Sequence, residues 1–321
     1  MEIKRLLVKN FKNSSVLVTG GTGAVGTNLV NKLLDFGAKV IVLDDFSQSK
    51  KSNLNFSKNL IVIKGNITNE KILEKIFSKK IDYVFHLAAR FANELSVKDP
   101  LEDLHVNIEG TLQVLLYASK QKLKRFVYAS SSSLYGNQKS IITENTIPNP
   151  STPYAVSKLT GEYYCKTMHE LYKLDYTIVR LSNSYGPFDP SGRYRNVIPN
   201  FFQSALSNKD IVITGTGKET RDFTYIDDTI NGILLAASSK NSKNQVFNIG
   251  TGKATSIKEI ANIIIDICNS NSKIVFKPQR SFDHINKRKM NISKARKLID
   301  YNPTINVKEG LIKTYNWFLK N

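Results

Sequence analysis

Cysteine is scarce. The chain of 321 residues has two, Cys165 and Cys268, far apart and without a CxxC pair. That spacing excludes a disulfide framework and a cysteine metal site. His105, His169 and His284 show no ligand spacing, so no metal is expected. No apolar run approaches the ~18 residues that a membrane span needs. Met1 to Lys12 is too charged to hold the apolar region of a signal peptide. No internal repeat, low-complexity tract or long linker interrupts the sequence. Together these absences lead us to expect a cytoplasmic protein with no membrane partner.

Acidic residues are also few, 27 against 46 Lys and Arg, giving a net charge of +19. Of the basic residues 36 are lysine, spread evenly, with only short clusters at Lys50-Lys51, Lys79-Lys80 and Lys287 to Lys289. Nucleic-acid binders concentrate arginine and aromatic residues in stripes, so no nucleic-acid partner is expected. The positive field suits a small anionic substrate instead.

What is present is a hydrophobic content of 41%, enough for a substantial core and about two domains. Apolar runs at Val16 to Thr19, Val40 to Leu43, Leu60 to Ile63, Tyr83 to Leu87, Phe126 to Ala129 and Thr177 to Leu181 read as buried parallel strands. Helical periods lie between them, notably Leu104 to Lys120 and Ala155 to Tyr172. This alternation predicts an α/β fold, a doubly wound parallel sheet of the Rossmann type, with a smaller, discontinuous C-terminal substrate domain. Glycines and prolines crowd the chain after Ser182, and Tyr225 to Asp228 and Val246 to Gly250 are expected to return to the sheet. The expected division is an extension at 1–13, a cofactor domain at 14–182 plus about 225–252, and a substrate domain at 183–224 plus 253–321.

The first strand runs into Gly20-Gly21-Thr22-Gly23-Ala24-Val25-Gly26 and then a helix. Glycines serve the tight turn, the close approach of a pyrophosphate and helix–strand packing, and the helix N-terminus supplies aligned N–H groups. Asp44-Asp45 closes the next strand about 20 residues on, where a carboxylate hydrogen-bonds a ribose 2′-hydroxyl and repels a 2′-phosphate. NAD is therefore the expected cofactor, in preference to NADP. Tyr154-Ala-Val-Ser-Lys158 sets a phenol and an ammonium four apart on one helix face. The ammonium is expected to draw the phenol's pKa from about 10 towards neutrality. A hydroxyl from the run Ser130 to Ser133 completes a trio that removes an alcohol proton as hydride leaves the carbon.

The segments TGGTGAVG, HLAA, SSSSLYG, YAVSK, RLSNSYGP, GRYRNVIPNF and TGTGKETRDFTYIDD together resemble the extended short-chain dehydrogenase/reductases. The branch they match is that of NAD-dependent nucleotide-sugar epimerases and dehydratases, and the likeness runs from Ser14 to the C-terminus. The resemblance implies a cofactor site at Gly20, Gly23, Ala24, Val25, Gly26, Asp44 and Asp45. It adds Leu87, Ala88, Ala89 and Asn107, with Asn66 and Ile67 where the family usually has Asp-Ile beside the adenine. It makes Tyr154 the general base, Lys158 its partner and Ser131 the catalytic hydroxyl; a shift of register would choose Ser130 or Ser132. It assigns Asn183, Asn196 and Arg221 to the sugar nucleotide's diphosphate. Ser132, Arg193, Arg195, Arg280 and Asp283 complete the implied substrate set. A homodimer through a four-helix bundle, built from Leu104 to Lys120 and Ala155 to Tyr172, is implied as well.

Relatives that dehydrate carry Asp-Glu where this chain has Ser132-Ser133, and serines cannot supply that acid and base. Relatives that decarboxylate retain the Glu, and those that epimerise C3 and C5 use a Cys and a His that are also missing. Three readings stay open. The nearest motifs belong to 4-epimerases, which pass through a 4-keto sugar. A net 4-dehydrogenase would release that ketone, with UDP or GDP as the nucleotide. A non-catalytic NAD-binding regulator would more typically have lost Tyr154 or Lys158.

Overall fold

A computed structural model describes residues 2–49, 53–91, 93–138, 140–192, 196–280 and 285–320. The chain opens with α1 (Glu2–Phe11), β1 (Ser15–Thr19), α2 (Ala24–Asp35), β2 (Lys39–Asp44), β3 (Leu60–Lys64), α3 (Glu70–Phe77) and β4 (Tyr83–His86). It continues through α4 (Asn93–Lys98), α5 (Pro100–Asp103), a π-helical stretch (Leu104–Gly110) and α6 (Thr111–Ser119). Next come β5 (Arg125–Ser131), α7 (Pro153–Tyr172) and β6 (Tyr176–Leu181). Then follow β7 (Asn183–Tyr185), α8 (Val197–Leu206), β8 (Ile211–Thr214), β9 (Thr220–Arg221), β10 (Phe223–Tyr225), α9 (Ile226–Ser238) and β11 (Gln245–Ile249). The last elements are β12 (Thr255–Ser256), α10 (Ile257–Cys268), β13 (Ile274–Lys277), α11 (Ser293–Ile299) and α12 (Val307–Phe318).

The six expected strands, joined by β11, form one seven-stranded sheet in the order β11-β6-β5-β4-β1-β2-β3, every pair parallel. In the central strands β1, β2, β4, β5 and β6 the β-branched and aromatic side chains are buried on both faces, as a sheet covered by helices requires, whereas Ile61 of the edge strand β3 is exposed. The chain reverses its direction of winding between β1 and β4. Above that switch point the loops diverge and leave a crevice, where such sheets bind ligands.

Two local expectations change, and the N-terminal extension gains a shape. Ile226 to Asp228 is not strand: β10 ends at Tyr225 in a separate two-stranded sheet with β7, and α9 begins at once. Asp227 and Asp228 sit in the first turn of α9, where negative charge is favoured, and Ile226, Ile230, Ile233 and Leu234 are buried at helical spacing. The helix expected at Leu104 to Lys120 starts earlier, at Pro100, behind an Asp99 cap that accepts from the Glu102 amide, and contains the π-helical turns. The segment at 1–13 contains helix α1, whose Leu7 and Phe11 are buried; Phe11 packs 5.0 Å from the ring of Tyr83, and the helix lies on α9.

Candidate active site

β1 hands the chain to Gly20 with φ of 69°, and a Cβ there would lie 2.7 Å from the Ala88 backbone. At Gly26 a Cβ would stand 2.1 Å from the Gly20 carbonyl oxygen, so helix and turn could not meet. At Gly23 it would meet nothing nearer than 3.5 Å: that side faces open cleft. Gly23 is also the cap of α2 and brings no side chain, which leaves the first-turn N–H groups of α2 for an anion. Ala24 and Val25 line the same opening.

The carboxylates at the end of β2 are held in place from below. Asp44 accepts from the amides of Thr22 and Phe46, both at 2.9 Å, and Asp45 from the Ser47 amide at 2.9 Å and the Asn66 amide group at 3.3 Å. The Asn66 side-chain oxygen accepts from the amide and hydroxyl of Thr68, and Ile67 is buried beside it. The opposite wall is Leu87-Ala88-Ala89, running on from β4, with the Leu87 and Ala88 amides bonded to Thr19. Asn107 differs: at 1% exposure it lies behind this wall, where its side chain bonds both the amide and the carbonyl of Arg90 and donates to Asp103 at 2.7 Å. The glycine cradle, the paired carboxylates and the small-residue wall fit a dinucleotide such as NAD.

β5 delivers the serine run to the centre of the cleft and α7 delivers Tyr154 and Lys158, because Thr152 caps α7 and Pro153 fixes its first turn. Ser130 turns away and donates to Glu162 at 2.5 Å, a carboxylate already gripped by the Arg180 guanidinium at 2.7 and 2.8 Å. Ser131 stands by the Tyr154 phenol, whose pKa it lowers, and accepts from the Ser133 hydroxyl at 2.9 Å and the Ser133 amide at 3.1 Å. The result is a line of hydroxyls, Ser133 to Ser131 to Tyr154, and Ser131 is the serine beside the phenol. Phe91 stands edge-on to the Tyr154 ring at 5.7 Å.

The protonation states correct one expectation. Burial pushes the Tyr154 phenol up rather than towards neutrality, against a lowering by the Ser131 hydrogen bond, and Asp103 adds to the rise. Lys158 bears the opposite shift: burial takes its ammonium down to about 8, while Asp103 holds it up. Its Nζ donates to the Ala129 carbonyl at 2.9 Å. Desolvation is the largest cause of both shifts. His86, buried between Thr19 and Thr111, is pushed down to about 3, which marks it as a neutral structural bridge.

The far side of the cleft holds the remaining expected residues. Asn183 and Arg221 line it, and among the described residues the Asn183 side-chain oxygen is a buried acceptor with no hydrogen-bond partner. Arg221 is steadied by the carbonyls of Thr220 and Ile285, both at 3.0 Å. Asn196 caps α8 without a side-chain bond to it and instead donates to Asp189 at 3.1 Å. Arg280 pairs with Glu94 at 3.3 Å across the mouth. Ser132 accepts from Arg288 at 3.4 Å. Arg193, Arg195 and Asp283 lie outside the described residues. Sequence reasoning gave Ser133 no place in the site and missed Asp103 and Phe91; only Ser133, inside the serine run, carried a signal that could have placed it. The whole cleft has a volume of about 1660 Å³, above the roughly 300–1,000 Å³ of a pocket for one small ligand, and so offers room for two nucleotides.

Comparison with known proteins agrees with this geometry. A putative UDP-glucose 4-epimerase of Methanocaldococcus jannaschii is 35% identical over 309 residues, covering 95% of this chain and 99% of its own. The solved structure of epimerase Mth375 from Methanothermobacter thermautotrophicus superposes with a TM-score of 0.98 at 39% identity, over 100% of this chain and 96% of that one. A UDP-glucuronic acid 4-epimerase of Bacillus cereus, solved with UDP-glucuronic acid and NAD, gives a TM-score of 0.87 at 31% identity, over 95% of this chain and 99% of that one. Residues 16–250, which include the cradle, the serine run and the tyrosine–lysine pair, match the model of one family, and this chain therefore belongs to the NAD dependent epimerase/dehydratase family.

Proposed function

We propose that the protein inverts C4 of a nucleotide-activated sugar through a 4-keto intermediate, with NAD as its resident cofactor. The observation that carries this reading is the hydroxyl line ending on Tyr154 beside Lys158, with serines at the two positions that follow Ser131. Tyr154 takes the proton of the C4 hydroxyl, Ser131 orients that hydroxyl, and Lys158 steadies the phenolate. Bound NAD would supply the hydride acceptor for C4 and a positive charge that favours the phenolate. When the alcohol re-forms on the other face, Tyr154 returns the proton, so cofactor and base end as they began. Ser132 and Ser133 have no group that protonates a leaving hydroxyl at neutral pH, which sets dehydration aside.

Gly20, Gly23, Ala24, Val25 and Gly26 take the pyrophosphate, Asp44 and Asp45 the adenosine ribose, Asn66 and Ile67 the adenine edge. Leu87 to Ala89 back the ring system, with Asn107 holding their loop from behind. Asn183, Asn196, Arg221 and Arg280 take the sugar nucleotide. The chain divides accordingly, 14–182 with about 225–252 for the cofactor and 183–224 with 253–321 for the substrate. Both cysteines are free thiols, which suits the cytoplasm. Two copies pair through the outer faces of the π-helical stretch, α6 and α7, a reading supported by the exposure of Leu104, Leu116, Val156 and Tyr163 there.

The test is incubation of the purified protein with a panel of nucleotide sugars, reading product identity and nicotinamide absorbance together. A C4 epimer with unchanged absorbance is the expected result. A ketone with accumulating NADH would replace this reading with net dehydrogenation, and no reaction on any sugar would end it.

A further inference from the structure

Ser130 is one of the two serines that a shift of register would make catalytic, and the structure gives it different work. It is buried, and its hydroxyl donates to Glu162 at 2.5 Å. Glu162 lies on α7 one turn beyond Lys158, as Lys158 lies one turn beyond Tyr154, so the three share a face of the helix. That face is tied to consecutive residues of β5. The Lys158 ammonium donates to the Ala129 carbonyl at 2.9 Å, and Glu162 accepts from Ser130. The next residue of the strand is Ser131.

Glu162 is itself immobilised. Arg180 of β6 donates to its two carboxylate oxygens, from Nε at 2.8 Å and from Nη2 at 2.7 Å, and its Nη1 donates to the Tyr135 hydroxyl at 2.7 Å. Tyr135 ends the short turn that follows the serine run and donates in turn to Asn248 of β11 at 2.7 Å. Glu162 is 1% exposed and Arg180 4%. A buried ion pair gains little stability over apolar residues of the same volume, but its forked bonds admit one geometry. What they fix here is the register between the helix that carries Tyr154 and the strand that carries Ser131. We propose that Glu162, locked by Arg180, acts through Ser130 as a positioning residue that sets the distance from Ser131 to the Tyr154 phenol. The inference rests on the C4 chemistry proposed above, in which those two hydroxyls meet the substrate together. A misplacement of about 1 Å at such a site costs on the order of a hundredfold in rate.

The experiment uses Ser130→Ala, which cuts the link to the strand and leaves the Glu162–Arg180 pair in place, on the NAD-loaded full-length protein. The substrate is whichever of UDP-glucose, UDP-N-acetylglucosamine and UDP-glucuronate the unaltered protein turns over fastest. We expect kcat to fall by about tenfold or more while KM stays within about twofold. The acid limb of kcat against pH should also move upward, by about half a unit or more, because Ser131 lowers the phenol's pKa. The other groups that act on the phenol, Lys158 of the same helix, Asp103 of α5 and Tyr128 of β5, are untouched by the substitution. Ser130→Cys nearly keeps the volume but donates weakly, and should behave as Ser130→Ala does. Ser130→Thr keeps the hydroxyl and should retain at least about half of kcat. Unaltered kinetics in both Ser130→Ala and Ser130→Cys would overturn the inference. So would a loss of kcat with an unmoved pH profile, or equal impairment in Ser130→Thr, since either makes Ser130 a packing residue only. Each of these leaves C4 epimerisation standing, whereas failure of all three sugars with the unaltered protein removes that reading and this one with it.

Discussion

Burial works in opposite directions on Tyr154 and Lys158: it raises the phenol and lowers the ammonium to about 8, which leaves the lysine mostly charged at neutral pH. The consequence for stability follows by linkage. The folded chain releases the Lys158 proton near pH 8, whereas an unfolded lysine keeps it to about 10.4. Between those values the unfolded state binds more protons, so the lysine's contribution to stability grows as pH rises. Urea titrations of the unaltered protein and of Lys158→Met, without added cofactor, test this. The difference between them should move in favour of the unaltered protein by roughly 2–3 kcal/mol from pH 7 to pH 10. A constant difference would mean that the ammonium is not desolvated. The identities of Tyr154, Lys158 and Ser131 were legible in the sequence, whereas their protonation was not. Spacing reports which groups share a helix face, but desolvation depends on β4, β5 and the loop at Phe91 closing over them. Asp103 was hidden for the same reason: its proximity to Lys158 arises from helix packing, not from a local pattern.

At the scale of elements, the strand–glycine–helix unit was readable because each part has a local cause: β-branched runs, a turn that only glycine permits, and an uncapped helix start. Asp44 completes that unit, and its anchoring by two backbone amides explains how it holds its place at the cleft floor. Asp44→Ala should weaken NAD by about tenfold or more and reduce the preference for NAD over NADP. Titration of both cofactors checks this, and an unaltered preference would remove Asp44 from ribose recognition. The helix at Ile226 was misread because Phe223-Thr-Tyr225 and Ile226 form one apolar run, and a short apolar run does not distinguish strand from helix. Only the acidic first turn separates the two.

Over the whole molecule, the sheet order and the crevice above β1 and β4 follow from topology that alternation in sequence already implies. The far wall does not. Its residues come from β7, β9, the start of α8 and the stretch before α11, and no periodicity joins those segments. The same scale carries the expected pairing of subunits. Leu104 is 51% exposed and Leu171 64%, on the helices whose outer faces form the proposed contact. Leu104→Lys in the dimer should give a monomer by light scattering, because a stable contact loses its centre when one fully covered apolar residue becomes charged. A dimer of unaltered mass would place the contact elsewhere.

The wide turns between Leu104 and Gly110 tie that outer face to the inner one. On the inside, Asn107 grips the Arg90 backbone and Gly110 sits where a Cβ would lie 2.7 Å from Ile67. On the outside the same stretch leads into α6. Since each residue of a helix turns the chain by about 100°, removing or adding one between these points would swing every later side chain to another quarter. The stretch is therefore a gauge of set length between the two faces.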